Sequence, residues 1–451
     1  MAYNSQRQGV GSLQIDENEI QANCLDIFTY PKIEKDLHEG KSIQVRPINA
    51  INNSGPFEFH IHSTDVEYLA MPFTKLQGCL QIKKVDEEGQ ETDCTTQDDF
   101  SVVNLFPNSI FKQVELFVNE TQVVDQSTST YAYKCFIDSN LSYGRESKNT
   151  HLRSSMFFKD GVGNGDKVTS TAGDENSGYV KRKNFVKESK KIYFSTQLYI
   201  DFLNCVRLLP PGLNLKLLLH RQSDDFSILA GSNKYRINIL DLKLDIRKIK
   251  VSPAALVKHA QLFENQEAFF PIHQTKITTN LIPSGITSQS FENIVRGPLP
   301  QQILLFMVAD ESYSGKTSKN PFFFQNFSVN KFAFKVNGET HPSSLFNPNF
   351  SNGDYMREYA NFMDVIGIAA ENSGNDITPQ EFADGCTVFA LDLSPDICNS
   401  FHSHVLNNGV IGIEMSFSKP LEKPIQVLAY QIYHKVLRVD KDRAVKLEYL
   451  V

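Results

Sequence analysis

The 451-residue chain has no tryptophan, no CxxC pair and no uninterrupted apolar run of about 18 residues, so no helix of it is expected to cross a membrane. Its first residues, MAYNSQRQGVGSLQ, lack the apolar stretch of a secretory signal. The seven cysteines (Cys24, Cys79, Cys94, Cys135, Cys205, Cys386, Cys398) are odd in number and scattered. That pattern suits reduced, mostly buried thiols better than a disulfide framework or a zinc site. Basic excess is also missing: the formal net charge is −7, which argues against a protein whose main task is gripping phosphate backbones. Recognisable catalytic frames are lacking too, with no GxSxG, no HExxH and no Cys/His constellation.

Aromatic and β-forming residues are plentiful. The 33 phenylalanines and 16 tyrosines sit in short alternating runs that favour sheets. Strands are expected at Ser42–Arg46, Phe57–Ile61, Gln77–Val85, Ile192–Leu198, Leu213–Leu217 and from Tyr235, where a one-residue slip in the apolar set places a β-bulge near Ile239. Tyr131–Leu141 and Tyr355–Ile366 read as short helices. Arg145–Lys190, with five glycines between Gly161 and Gly178 and little apolar content, reads as an inserted surface loop. Ser252-Pro253 is a helix start, serine as N-cap and proline in the first turn, so AALVKHAQLF should link two halves. Gln302–Val308 is a continuous apolar strand.

Those halves repeat. Phe324–Glu339, FQNFSVNKFAFKVNGE, is a strand with Phe332, Phe334 and Val336 on one face, ending in the hairpin signal Asn337-Gly338. Phe106–Glu120, FPNSIFKQVELFVNE, matches it at an offset of 218 residues. Phe194, Leu198 and Asp201 match Phe389, Leu393 and Asp396 at 195, and Gly212 matches Gly409 at 197. Three matches in one order indicate an internal duplication of an all-β unit, and the falling offset is explained by a shorter counterpart of the Arg145–Lys190 insertion. Two such units suggest paired sandwich or jelly-roll domains.

Each lead to chemistry has a plain alternative. His60-Ile61-His62 with Glu67 resembles a cupin metal set, but Phe57, Phe59 and Ile61 claim the inward face and leave both histidines outside. His402 and His404 form a second pair without a carboxylate at ligand spacing. Gly315-Lys316-Thr317 resembles the end of a phosphate loop, yet lies between strands and reads as a hairpin loop. Lys181-Arg182-Lys183, with Lys187, Lys190 and Lys191, is the one basic cluster, read as a solvated loop, with nuclear targeting or contact with packaged nucleic acid as the lesser reading. No catalytic, cofactor-binding or metal-ligating residue is assigned.

The runs LDIFTYP (25–31), SGPFEFHI (54–61), LNCVRLLPPGLNLKLLLHRQSDDFSIL (203–229), SKNPFFFQNFSVNKFAFKVNGE (318–339) and GNDITPQEFADGCTVFALDLSPD (374–396) resemble the major capsid proteins of Polinton (Maverick) elements and adintoviruses. The resemblance implies an all-β, tandem double jelly roll: two eight-stranded β-sandwich domains with short helices in the connections. It also implies a hexon-like structural protein without enzymatic activity or cofactor. Such a protein forms a homotrimer, a pseudo-hexagonal capsomer that builds an icosahedral capsid around double-stranded DNA. The expected organisation is an arm over residues 1–40, a first jelly roll over 41–250 and a second over 251–451 with the linking helix and a C-terminal tail. The expected partners are further copies of the chain, penton and minor capsid proteins, with nucleic acid enclosed rather than specifically bound. Domain flanks and inserted loops should form the trimer, and the arm and the tail after Tyr433 should tie capsomers together. The expected location is the virion, assembled inside the host cell. Two rival readings of paired jelly rolls stay open, a bicupin-like metalloenzyme and a carbohydrate-binding protein.

Overall fold

Period-2 alternation runs through both halves of the sequence, and each half folds into two main antiparallel sheets, with a small two-stranded sheet beside them. The computed structural model describes residues 33–64, 66–124, 129–171, 176–231, 233–395 and 407–449. In the first half the strands are β1 (Leu37–Val45), β2 (Phe57–Ile61), β3 (Glu67–Val85), β4 (Phe111–Val118), β5 (Thr121–Gln122), β6 (Ile192–Gln197), β7 (Leu215–Arg221) and β8 (Lys234–Val251). One sheet has the order β1-β8-β3 with β6 on the far side of β3, and the other is β2-β7-β4-β5. The second half supplies β9 (Ala268–Ile282), β10 (Ser288–Pro298), β11 (Gln302–Ala309), β12 (Val329–Val336), β13 (Glu339–Phe346), β14 (Val388–Asp392), β15 (Asn408–Phe417), β16 (Ile425–Val439) and β17 (Val445–Tyr449). Its sheets are β9-β16-β11-β14, with β17 added beside β16, and β10-β15-β12-β13. Strand n of the first half therefore sits where strand n+8 sits in the second. This is a tandem double jelly roll.

The duplicated strand is the clearest case. β4 and β12 begin and end at positions 218 residues apart. Each is followed by an asparagine in the left-handed region, Asn119 at φ 53° and Asn337 at φ 51°. Asparagine tolerates that conformation better than most residues. Each also clamps the neighbouring strand in the same way. The Asn119 amide donates to the Asn214 carbonyl at 2.8 Å, and the Asn214 amide donates to Asn119 Oδ1 at 2.9 Å. In the second half the Asn337 amide donates to the Val410 carbonyl, and the Val410 amide to Asn337 Oδ1, both at 2.9 Å. The pairs Val118↔Leu215 and Val336↔Ile411 put the local offset at 196 residues, one less than the glycine match suggested. Val329 and Ala333 are buried along with Phe332, Phe334 and Val336, and a register shift after Val329 breaks the alternation at the start of the strand.

Other boundaries are adjusted. β1 begins at Leu37, inside the segment expected as an arm; residues 1–32 lie outside the described set. β3 is 19 residues long and starts ten positions before the expected strand. The bulge near Ile239 is present as a register shift between Ile239 and Asp241. Helices α1 (Tyr131–Ser142), α3 (Pro253–Asn265) and α4 (Met356–Val365) stand where the sequence places them, and Ser252 caps α3 by accepting the Ala255 amide. The segment after Tyr433, expected as a tail that ties capsomers together, comprises the end of β16 and all of β17. The insertion is not a surface loop either. It carries the short helix Arg145–Asn149 and helix α2 (Ser177–Val186), and Leu152, Met156, Phe157, Phe158, Tyr179 and Val186 are all buried. Its apolar residues are few but concentrated, which composition alone obscures.

Replacing Asn119 or Asn337 by alanine removes an acceptor and strains the left-handed turn. Each should cost about 1–3 kcal/mol in denaturant unfolding. Glycine at the same positions keeps the backbone relaxed while losing the acceptor and, at 119, the donor to the Arg443 carbonyl, so it should cost less than alanine.

Candidate functional site at the junction of the halves

Helix α1 is buried on nearly every side, a pattern found where a helix passes between packed layers. It belongs to the first half but packs on residues of the second. The Phe136 ring stacks on Phe322 at 4.5 Å, and Tyr133 lies 5.6 Å from Tyr313 and 5.7 Å from Phe322. Phe324 continues the cluster to Phe306 of β11 at 4.8 Å. The resulting hydrophobic core takes in the whole first sandwich and the outer face of the β9-β16-β11-β14 sheet. A separate core fills the second sandwich. This sheet is thus buried on both faces, which is why β11 reads as a continuous apolar run.

A charged cluster is set into that apolar seam. The Lys134 ammonium on α1 lies 2.6 Å from Asp138 Oδ2 and 2.7 Å from Asp201 Oδ1. Asp201 Oδ2 accepts the Thr275 amide of β9 at 2.8 Å, and the Tyr430 hydroxyl of β16 donates to Asp138 Oδ1 at 2.5 Å. Burial alone would lower the Lys134 pKa, but the two carboxylates outweigh it and hold the group well above the usual lysine range. All partners must be in place for every charge to be met, so the cluster specifies one docking of the halves.

The insertion builds a second polar seam. Arg182 of α2 has a fully buried side chain and donates to the Val102 carbonyl, the Phe158 carbonyl and Asp160 Oδ1, each at 2.7 Å. Asp160 also accepts from Asn320 of the second half at 3.2 Å. The glycine at 178 makes this possible, since a Cβ there would lie 2.3 Å from Asp160 and 2.8 Å from the Lys159 carbonyl. Lys159 reaches Glu381 at 2.8 Å and Asp376 at 3.1 Å across the junction. Lys148 donates to the Asn140 carbonyl and Oδ1 at 2.9 Å and to the Asn375 carbonyl at 2.5 Å. It holds oxygens but no carboxylate, and burial pushes its pKa down to about 8, with the Lys159 charge adding to the effect. A cavity of about 60 Å³ lies between these groups, lined by Asn140, Lys159, Glu381 and Cys386 among others.

The motifs noted in the sequence do not converge here. His60 sits on the outward side of β2, 2.6 Å from Glu58, while Glu67 is engaged by Lys41 and by Thr64 at 2.9 Å. Among the described residues no three His, Cys, Asp or Glu side chains are grouped to hold a metal ion. His402 and His404 lie outside the described residues. Lys316 pairs with Glu311 at 3.0 Å, and the Thr317 carbonyl accepts the Ala230 amide, so that loop docks on the first half. The basic cluster is solvated only in part: Lys181, Lys190 and Lys191 are exposed, whereas Arg182 is interior and Lys183 pairs with Asp99 at 2.8 Å. Cys79, Cys94, Cys135, Cys205 and Cys386 are buried and unpaired, while Cys24 and Cys398 are outside the described set. No described helix is long and apolar enough to cross a membrane. The residues that sequence reasoning missed are Lys134, Asp138, Asp201 and Arg182. Their only sequence signal is charge inside otherwise apolar or loop-like stretches.

The fold and the junction define a double jelly-roll chain whose halves are locked by buried aromatic and ionic contacts. No protein-family model matches the chain. The uncharacterized protein F54H12.2 of Caenorhabditis elegans is 24% identical over 383 residues, covering 82% of this chain and 88% of that protein. Among solved structures, a chain of the Sputnik virophage, determined by cryo-EM, is similar with a TM-score of 0.66 at 11% identity, over 96% of this chain and 93% of its own. The mavirus major capsid protein gives 0.52 at 11% identity over 99% and 97%, and the Faustovirus major capsid protein 0.54 at 9% over 96% and 93%. At such identities the likeness establishes the fold.

The two buried lysines should respond very differently to removal. Lys134→Met leaves Asp138 and Asp201 facing one another in the interior, and should cost about 3–5 kcal/mol in chemical denaturation. Lys148→Met removes a desolvated charge that Asp376 and Glu381 offset only in part, and should change stability by less than about 1 kcal/mol at pH 7, because the lost hydrogen bonds oppose the gain. The folded protein releases the Lys148 proton near pH 8 and the unfolded chain near 10.5. Between those values the unfolded chain binds more protons, so this group makes stability rise with pH across the window and contributes no slope below it. The slope should be absent in Lys148→Met.

Proposed function

We propose that this chain is a structural major capsid protein of the Polinton (Maverick) or adintovirus type, without enzymatic activity. The observation that carries the reading is the presence of two eight-stranded jelly rolls in one chain. The mavirus and Faustovirus major capsid proteins share that arrangement across 96% or more of the chain. The domains run over residues 41–250 and 251–451, following a short arm. The mechanism is geometric. Two similar lobes per chain give a homotrimer six similar edges, so one gene product meets its neighbours in near-hexagonal packing and closes an icosahedral shell around double-stranded DNA. Penton and minor capsid proteins complete the shell, and the protein resides in the virion after assembly in the host cell.

The bicupin alternative loses support because His60, His62 and Glu67 do not share a site. In the basic run Arg182 and Lys183 are turned to internal partners, which leaves Lys181, Lys190 and Lys191 exposed. Enclosure of DNA rather than binding of it fits both facts.

Size-exclusion chromatography with light scattering on the expressed chain should give a species three times the 51.0 kDa chain mass. Electron micrographs should show pseudo-hexagonal capsomers or closed particles. A chain that stays monomeric at all concentrations and forms no particles would overturn the reading.

A further inference from the structure

The insertion and the second half enclose a pocket of about 320 Å³ between the helix Arg145–Asn149, the short turn His151–Ser155, α2 and the capped helix Pro379–Ala383. Its walls carry five cations, Arg145, Lys148, Arg153, Lys159 and Lys181, against two carboxylates, Asp376 and Glu381. The chain as a whole has a net charge of −7, so this excess is local. Lys159 takes both carboxylates, at 3.1 and 2.8 Å. Among the described residues the other four cations have no ion-pair partner. They are also held in place. Lys148 is 4% exposed, and oxygens of Asn140 and Asn375 fix its ammonium at the wall. Arg153 donates to Asn149 Oδ1 at 3.1 Å, and its guanidinium lies 5.6 Å from the centre of the Phe158 ring. Arg145 and Lys181 line the pocket from its exposed side. Four unpaired cations around one hollow repel one another, and the buried Lys148 lacks the water that would screen that repulsion. An anion in the hollow turns each of these repulsions into an attraction.

We propose that this pocket binds a small phosphate-rich anion, a polyphosphate chain or the triphosphate end of a nucleotide. Small-molecule sites run from about 300 to 1,000 Å³, so the volume suits a compact ligand and does not admit a nucleic-acid duplex. Arg145 and Arg153 make the direct contacts, since a planar guanidinium meets phosphate oxygens with paired hydrogen bonds. Lys181 adds a point charge from α2. Lys148 has its three protons committed to protein oxygens, so it supplies field rather than a hydrogen bond. The two rings lining the pocket, Phe157 and Phe158, are buried and offer no platform for a base, so the phosphate chain is the part recognised. The walls come from both halves, and the bound anion therefore ties the insertion to the second half. The inference is independent of the capsid reading.

The test is calorimetric titration of the full-length chain with sodium tripolyphosphate and, separately, with ATP. One molecule should bind per chain and raise the melting temperature. Equal affinity for the two probes marks the phosphate chain as the ligand, and tighter binding of ATP marks a nucleotide. Arg145→Ala with Arg153→Ala should weaken binding on the order of 100-fold, and Lys148→Met on the order of 10-fold. Both arginines are exposed, so melting of the unliganded double variant should match the parent. Lys190→Ala with Lys191→Ala, at exposed positions outside the pocket, should bind as the parent does. A parent that binds neither probe, or pocket variants that bind both as tightly as the parent, would overturn the inference. So would duplex DNA that binds the parent through Arg145 and Arg153 while tripolyphosphate does not, since the cations would then be a contact to nucleic-acid backbone.

Discussion

Burial of the β9-β16-β11-β14 sheet on both faces is the constraint on which the rest of the molecule depends. A sheet with Leu304, Phe306, Val388 and Leu428 on its outer side cannot face water without exposing a large apolar patch. The first half supplies the cover, through α1 and an aromatic cluster that reaches from Tyr133 to Phe306. The two jelly rolls are thus not beads on a string. One hydrophobic core runs from the first sandwich into the sheet of the second, and only the far sandwich keeps a core of its own.

Apolar contact alone would let such surfaces slide, since dispersion and desolvation have little direction. Direction comes from buried polar groups. Lys134 needs Asp138 from its own helix and Asp201 from the turn after β6, and those carboxylates in turn need Thr275 and Tyr430 of the other half. Arg182, Asp160 and Asn320 do the same on the other side of α1's aromatic cluster. The insertion between β5 and β6 has no long counterpart in the second half. It is the segment that turns two tandem repeats into one asymmetric unit, because it fills the seam between them.

Much of this was legible beforehand. The duplication showed in Phe106–Glu120 and Phe324–Glu339, whose strands coincide under a single offset and whose asparagines make the same clamp. Strand faces, the bulge after Ile239, the capped linker helix and the outward histidines followed from periodicity and local rules, which depend on near neighbours in the chain. The insertion was misread for a corresponding reason. Its average composition is polar, while its burial is decided by the few residues Phe157, Phe158, Tyr179 and Arg182 and by partners up to hundreds of positions away. The C-terminal segment after Tyr433 forms the end of β16 and β17, a strand pairing that the sequence reading did not place.

By itself the sequence determined the all-β class, the repeat and the location of helices α1, α3 and α4. Each of these is a pattern of period two, of capping residues or of self-similarity, carried by neighbours along the chain. Tertiary structure alone decided which charges are interior, which glycine must be small, and which copy of the duplicated sheet face is sealed. Those outcomes depend on how one half lies against the other. No local pattern encodes that, because the partners of Lys134, Arg182 and Phe324 are brought together only by folding.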